Sequence, residues 1–133
     1  MTTSYKIAVT PQDFKNAYGF FRALNDPPVV KLSHPTILVE RDGSIVGALG
    51  TMKNEYKILA GPLAINLPKG HNPGHIIIRL GQIYEALLKA ANIKVYYFGI
   101  DRDKPEWIDI IRKGLNLEPY ALFEGRLYFR REL

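Results

Sequence analysis

LPKGHNPGH, residues Leu67 to His75, stands between a run that reads as a strand and one that reads as a helix, and the architecture turns on what it connects. Before it, Tyr56 to Ile65 is apolar but interrupted by Gly61-Pro62. Proline has no N–H for a ladder and glycine before it invites a bulge, so pairing is expected to break there. After it, IIIRLGQIYEALLKAAN places Ile76, Leu80, Ile83, Leu87 and Ala90 on one helical face, with Ile77, Tyr84 and Ala91 beside it. Next, KVYYFGI (Lys94 to Ile100) suits a strand buried on both faces. The unit from Tyr56 to Ile100 is therefore a strand–helix–strand crossover, expected to be right-handed.

The flanking chain completes the layout. YKIAV (Tyr5 to Val9) predicts a first strand. Thr10 can cap the helix that follows, Pro11 suits its first position and Asp13 is an acid in its first turn. Phe14, Ala17, Tyr18, Phe21 and Leu24 form its buried face, and NDPP (Asn25 to Pro28) ends it. TILVERDGSIVGALGTM (Thr36 to Met52) holds two apolar runs around Asp42-Gly43, a dipeptide that favours a tight hairpin turn. Late in the chain, DKPEWIDIIRKG reads as an amphipathic helix with Pro105 near its start and Gly114 near its end. YALFEGRLYFRRE then closes as a hairpin around Glu124-Gly125. The order is strand, helix, three strands, helix, strand, helix, two strands. That predicts an α+β fold with α/β-type layers, in which helices flank a mixed, mostly antiparallel sheet. All 133 residues fit one domain, 1–133, without a repeat or linker.

Composition narrows the function. There is no cysteine, which excludes disulfides, thiolate metal sites and a cysteine nucleophile. The N-terminus lacks a secretory pattern and no apolar stretch approaches bilayer length, so a cytoplasmic protein without a membrane partner is expected. The net charge of +5 suits an anionic ligand. Its basic residues are scattered, concentrating modestly in Lys104 to Lys113 and in RLYFRREL, so a nucleic-acid partner is not expected. His71 and His75 have the spacing of a helical metal pair, but His71 precedes the cap and the nearest third histidine is the distant His34, so no metal is expected.

Two readings of LPKGHNPGH stay open at this level. Asn72 can cap the helix, with Pro73 in its first turn. The amides of Gly74, His75 and Ile76, with those of Gly70, His71 and Asn72 just before, then form an anion site at the positive end of the helix. Lys69 and the two imidazoles can add to it. Alternatively, Gly70 and Gly74 only let the chain turn. A Walker loop is excluded, because Lys69 precedes its glycines and no Ser or Thr follows it.

The order of elements resembles the GNAT superfamily of acetyl-CoA-dependent N-acetyltransferases, over nearly the whole chain. That family's loop has Arg or Gln, two residues, Gly, one residue, then Gly or Ala; Lys69, Asn72 and Gly74 stand at those positions here. IIRKGLNL is similar to its late Leu-Tyr-Glu-Lys-Leu-Gly-Phe signature, with Leu115-Asn116-Leu117 at the last three places. The resemblance implies acetyl-CoA as co-substrate, with its pyrophosphate on Lys69, Gly70, His71, Asn72, Gly74 and His75. It implies the pantetheine arm in the gap that Gly61-Pro62 opens, beside the main chain of Ala64 and Ile65. The partner is an amine acceptor reached from the side of the hairpin and first helix, where Phe20, Phe21 and Arg22 would shape the pocket.

Acetyl transfer needs a base for the ammonium and an acid for the thiolate. Asp101, at a strand's C-terminal end, Glu55 and Tyr56, opening the broken strand, Glu40, ending the hairpin's first strand, and Tyr97, alternating with Tyr96 in the buried strand, are the candidates. Each also has a plain structural explanation, as a strand-end acid or a packing aromatic. The family's frequent catalytic tyrosine is replaced by Arg112, and a nearby Asn by Pro105. A second class of function therefore stands beside the enzyme: a GNAT-fold structural or binding module without catalysis, of the type encoded by tailed phages. A homodimer paired through the terminal hairpin is open to the chain, opposed by Arg126, Arg130 and Arg131.

Overall fold

The computed structural model describes residues 2–24, 31–54 and 57–133. Ten elements follow in the expected order: β1 (Thr3–Ile7), α1 (Pro11–Leu24), β2 (Ser33–Arg41), β3 (Ser44–Asn54), β4 (Lys57–Ile65), α2 (Gly74–Ala90), β5 (Val95–Asp101), α3 (Pro105–Leu115), β6 (Ala121–Phe123) and β7 (Arg126–Glu132). NDPP, Glu55 and Tyr56 lie outside the described residues. The strands form one sheet in the order β1-β2-β3-β4-β5-β7-β6, antiparallel except for β4 with β5.

Local chemistry accounts for the turns and caps. Asp42 (φ 51°) and Gly43 (φ 80°) turn β2 into β3, and Glu124 (φ 50°) and Gly125 (φ 76°) turn β6 into β7. Two consecutive left-handed residues match the twist of a tight hairpin. At the start of α1, the Asp13 amide donates to Thr10 Oγ1 at 3.1 Å and the Thr10 amide donates back to Asp13 Oδ2 at 3.1 Å. That reciprocal box satisfies two amides the helix would leave open. Asp13 also accepts from the Val9 amide and pairs with Lys6 Nζ at 3.0 Å, and these bonds hold its carboxyl well below the usual carboxylate range.

Side-chain alternation splits the core in two. Ile37 and Val39 of β2 face α2 and α3, joining Leu80, Tyr84, Leu88, Phe98 and Phe129. Leu38, between them, faces the other way and packs with Ala17 and Phe21 of α1. Each large apolar side chain so buried contributes about 1.5–3 kcal/mol.

Three expectations need correction. The buried face of α2 is turned toward Ile77, Leu80, Tyr84 and Leu88, leaving Ala90 exposed, because Tyr84 reaches a polar partner inside the core. Strand β5 is buried on one face only: Tyr96, Phe98 and Ile100 are covered, whereas Tyr97 and Gly99 are half-buried and Asp101 is exposed. The reason is that α1 packs on β2, β3 and β4, so the β5-β7-β6 half of its face has no helix over it among the described residues. The hairpin's edge strand is β6, with Leu122 and Phe123 exposed, and the arginines thought to guard it lie on the interior strand β7.

Candidate active site

The break at Gly61-Pro62 produces a gap in the sheet. Leu49 of β3 pairs with Leu63 and Thr51 with Ala60, so the one residue Gly50 faces the two residues Gly61 and Pro62. This is a bulge on β4. Gly61 sits at φ 146°, where a side chain is strained, and at Gly50 a Cβ would stand 2.7 Å from Leu32 Cδ2, which would have to move aside. On the other edge of β4, Leu59 with Tyr97 is the one parallel register pair to β5 among the described residues. Beyond it the two strands part.

The parted strands open a cavity of about 600 Å³. It passes through the sheet. On the helical side its walls include Ile77 and Leu80 of α2, Tyr96 and Phe98 of β5, and Trp107 and Ile111 of α3. On the opposite face it is bordered by Met52, Gly99, Asp101, Arg126 and Tyr128. Tyr128 leans over its register partner Gly99, where a Cβ would stand 2.8 Å from the ring.

Two tyrosines of the helical wall have engaged hydroxyls. Thr51 Oγ1 donates to the Pro35 carbonyl at 2.6 Å, so at 2.6 Å the Tyr84 hydroxyl must donate to Thr51. Burial pushes the Tyr84 phenol up to about 12, against the lowering effect of that bond. The Tyr96 hydroxyl donates to Glu85 Oε2 at 2.7 Å, and Arg131 grips both oxygens of Glu85 at 2.7 and 3.2 Å. Burial and the adjacent Glu85 push the Tyr96 phenol far up. Burial on its own would raise the Glu85 carboxyl, but the bonds from Arg131 and Tyr96 outweigh it and hold the acid ionised below its ordinary value. Tyr84 and Tyr96 are therefore shaped wall, unsuited to giving up a proton.

The loop Leu67–His75 lies beyond β4, next to the first turn of α2, with Pro68 to Asn72 and His75 exposed. Helix α2 begins at Gly74, one residue later than expected, with its first main-chain bond from Ile77 to the Pro73 carbonyl at 3.0 Å. The N-cap is therefore Pro73, and the Asn72 side chain, one residue before it, accepts from the Gly74 amide at 2.8 Å. The His71 amide is also taken, by Pro68 at 3.1 Å. Of the six amides expected to face an anion, four remain without an acceptor among the described residues: those of Gly70, Asn72, His75 and Ile76. Gly70 takes φ 89°, a turn that favours glycine.

Other candidates are scattered. Asp101 is at the cavity's open mouth, paired with Arg126 Nε at 3.3 Å. Tyr97 faces away from the helical wall; Lys57 Nζ lies 4.9 Å from its ring centre and Tyr120 packs edge-on at 6.3 Å. Glu55 lies outside the described residues. The Asn66 amide donates to Val46, which puts Ala64 in the ladder with Ala48 and turns the main-chain groups of Ile65 toward the gap. Ala64 itself is buried in the α1 core. Phe20, Phe21 and Arg22 do not line the cavity: Phe21 is core, and Arg22 borders a shallow groove on the outside of α1. Arg112 pairs with Glu118 at 3.2 Å and lies outside the cavity, while its neighbours Ile111 and Leu115 line it. Asn116, at the glycine place of the late signature, takes φ 54° at the helix end. Glu85, Arg126 and Tyr128 carry no sequence signal of their own, since each acquires its role from a partner on another element. Among the described residues, no three His, Asp or Glu side chains converge as a metal site.

A meander, a bulged strand parting from its parallel neighbour, an amide-rich loop and a crossover helix define an acyl-CoA N-acyltransferase-like α+β fold, that of the GNAT acetyltransferases. The structure of a GNAT-family acetyltransferase from Streptococcus pneumoniae matches with a TM-score of 0.74 at 9% identity, covering 99% of this chain and 100% of that one. An IAA acetyltransferase from Bacillus cereus matches at 0.70 and 11%, covering 99% and 100%. A Campylobacter jejuni N-acetyltransferase in complex with acetyl coenzyme A matches at 0.60 and 14%, covering 98% and 99%. No protein-family model and no curated protein matches the chain. The chain has the GNAT fold. Among its described residues, no helix is long and apolar enough to cross a membrane.

Proposed function

We propose that the protein binds acetyl-CoA and transfers its acetyl group to an amine. The observation that carries this is the cavity between β4 and β5: it crosses the sheet, and on its helical side it reaches Ile77, next to the open amides of His75 and Ile76. The residues present fit the co-substrate. The four open amides and Lys69 suit a pyrophosphate at the positive end of α2. The groups of Ile65 turned to the gap suit the amide-bearing pantetheine arm, and the apolar walls keep water from the thioester.

In the reaction the amine nitrogen bonds to the thioester carbon and the C–S bond breaks. The acceptor ammonium gives up two protons; one ends on the CoA thiol and one in solvent. Asp101, directly or through a water, is the candidate to take the first proton, being the one carboxylate bordering the cavity among the described residues. Tyr128 is the candidate donor to the thiolate, since Tyr84 and Tyr96 are engaged and its hydroxyl has no partner among the described residues.

One observation favours the second reading, a binding module without catalysis: Arg112 occupies the family's tyrosine position and points its charge at Glu118. Calorimetric titration with acetyl-CoA, followed by a thiol-release assay with mixed amines, separates the two. Binding with thiol release supports the enzyme; binding with none supports the module; no binding at millimolar acetyl-CoA overturns both.

A further inference from the structure

We propose that the acceptor is a free α-amino acid with an apolar or aromatic side chain, its ammonium taken by Asp101 and its carboxylate by Arg126. The proposal rests on the acetyl-transfer reading above. It starts from the half of the sheet that α1 leaves uncovered, where Asp101 and Arg126 border the cavity.

Asp101 and Arg126 are register partners on β5 and β7 and stand side by side on that border. The pair uses only part of each group. Arg126 Nε lies 3.3 Å from Asp101 Oδ1 as an ion pair, and Nη2 donates to the Gly99 carbonyl at 2.9 Å. Among the described residues Arg126 Nη1 and Asp101 Oδ2 have no partner, and both side chains are about half exposed (49% and 53%). A guanidinium with a free edge binds a carboxylate in its own plane, and a carboxylate with a free oxygen binds an ammonium. Two such groups side by side match a ligand whose amine and carboxylate share one carbon. They match a polyamine poorly, because Arg126 would repel it, and an internal lysine poorly, because Arg126 would find no anion.

The charges around the pair agree. Along the ladder, Arg130 and Glu132 share this face with Arg126 and neutralise each other as an ion pair, while Lys57 lies over Tyr97. The face is therefore neither strongly acidic nor bare of cations, as a zwitterion requires. Tyr97, Tyr120 and Tyr128 supply flat aromatic surface beside the pair, with Tyr97 and Tyr120 edge to face. An apolar or aromatic side chain can rest there. In the transfer, the amino-acid nitrogen gains the acetyl carbon and loses two protons, one through Asp101 and one to the leaving thiol, while its carboxylate stays unchanged on Arg126.

The experiment compares phenylalanine, phenylalaninamide and phenethylamine as acceptors with the full chain, reading thiol release, beside a calorimetric titration with acetyl-CoA. The expected kcat/KM for phenylalanine exceeds that for the other two by about 10–100-fold, the range of one hydrogen bond to a charged group. In Arg126→Gln that preference is expected to fall toward one, a ratio that a purely structural role would not move. Equal use of the three acceptors overturns the amino-acid assignment, as does acetyl-CoA binding with a preference for phenylalaninamide or phenethylamine over phenylalanine. Binding without any turnover overturns it as well. Absence of acetyl-CoA binding overturns the transfer reading itself and this assignment with it.

Discussion

Leu59 pairs in parallel with Tyr97, and two residues further along β4 the partner strand has gone. The cavity lies at that divergence, beside the bulge in which Gly61 adopts φ 146°. Alanine would meet nothing within 4 Å there among the described residues, so backbone strain is the term that decides. Gly61→Ala is therefore expected to destabilise by about 1–3 kcal/mol. A drop of several degrees in the thermal midpoint is the check; an unchanged midpoint would show that the bulge does not need glycine.

The loop offers a test that keeps the helix intact. His75 is the second residue of α2 and its amide is open, so proline there removes a donor without breaking a helical bond, and Gly74 before it has no Cβ to clash. His75→Pro is expected to weaken acetyl-CoA binding by about 10–100-fold in calorimetry. Gly74→Pro instead removes the amide that Asn72 already occupies, and tests that local bond rather than the anion site.

Arg131 has a different task. It holds the buried Glu85, which in turn orients Tyr96 in the cavity wall. Arg131→Ala would leave that carboxylate with one phenol for a partner, and is expected to lose about 3 kcal/mol in denaturant unfolding. Tyr96→Phe, which removes one neutral donor, is expected to lose only about 1–2 kcal/mol. If the two variants unfold alike, Arg131 is not what stabilises the acid.

Acid should unfold the protein through the same groups. Asp13 and Glu85 both have folded-state values below their ordinary 3.8 and 4.5. Their stabilising contribution is complete above those ordinary values and is lost as pH falls through them toward the lower folded ones. The thermal midpoint is expected to be flat from pH 7 to about 5.5 and to fall below about 4.5. Asp13→Asn should make that fall shallower, and an unaltered slope would remove Asp13 from the explanation.

Much of this molecule is written locally. Left-handed turn pairs at Asp42-Gly43 and Glu124-Gly125, the Thr10–Asp13 cap, the helical spacing after Pro73 and the break at Gly61-Pro62 all follow from what neighbouring residues allow the backbone to do. The ten elements and the position of the amide-rich loop are legible for that reason.

What the chain alone left open depends on neighbours distant in sequence. That Tyr96 enters the cavity while Tyr97 faces the other side is decided by tertiary packing, because alternation assigns residues to two faces without naming them. The insertion of β7 between β5 and β6 sets Asp101 beside Arg126 and brings Arg131 to Glu85, and these residues are 25 and 46 positions apart. Spacing and propensity act over one or two turns of chain, whereas an ion pair at a cavity mouth forms only after every strand has found its register.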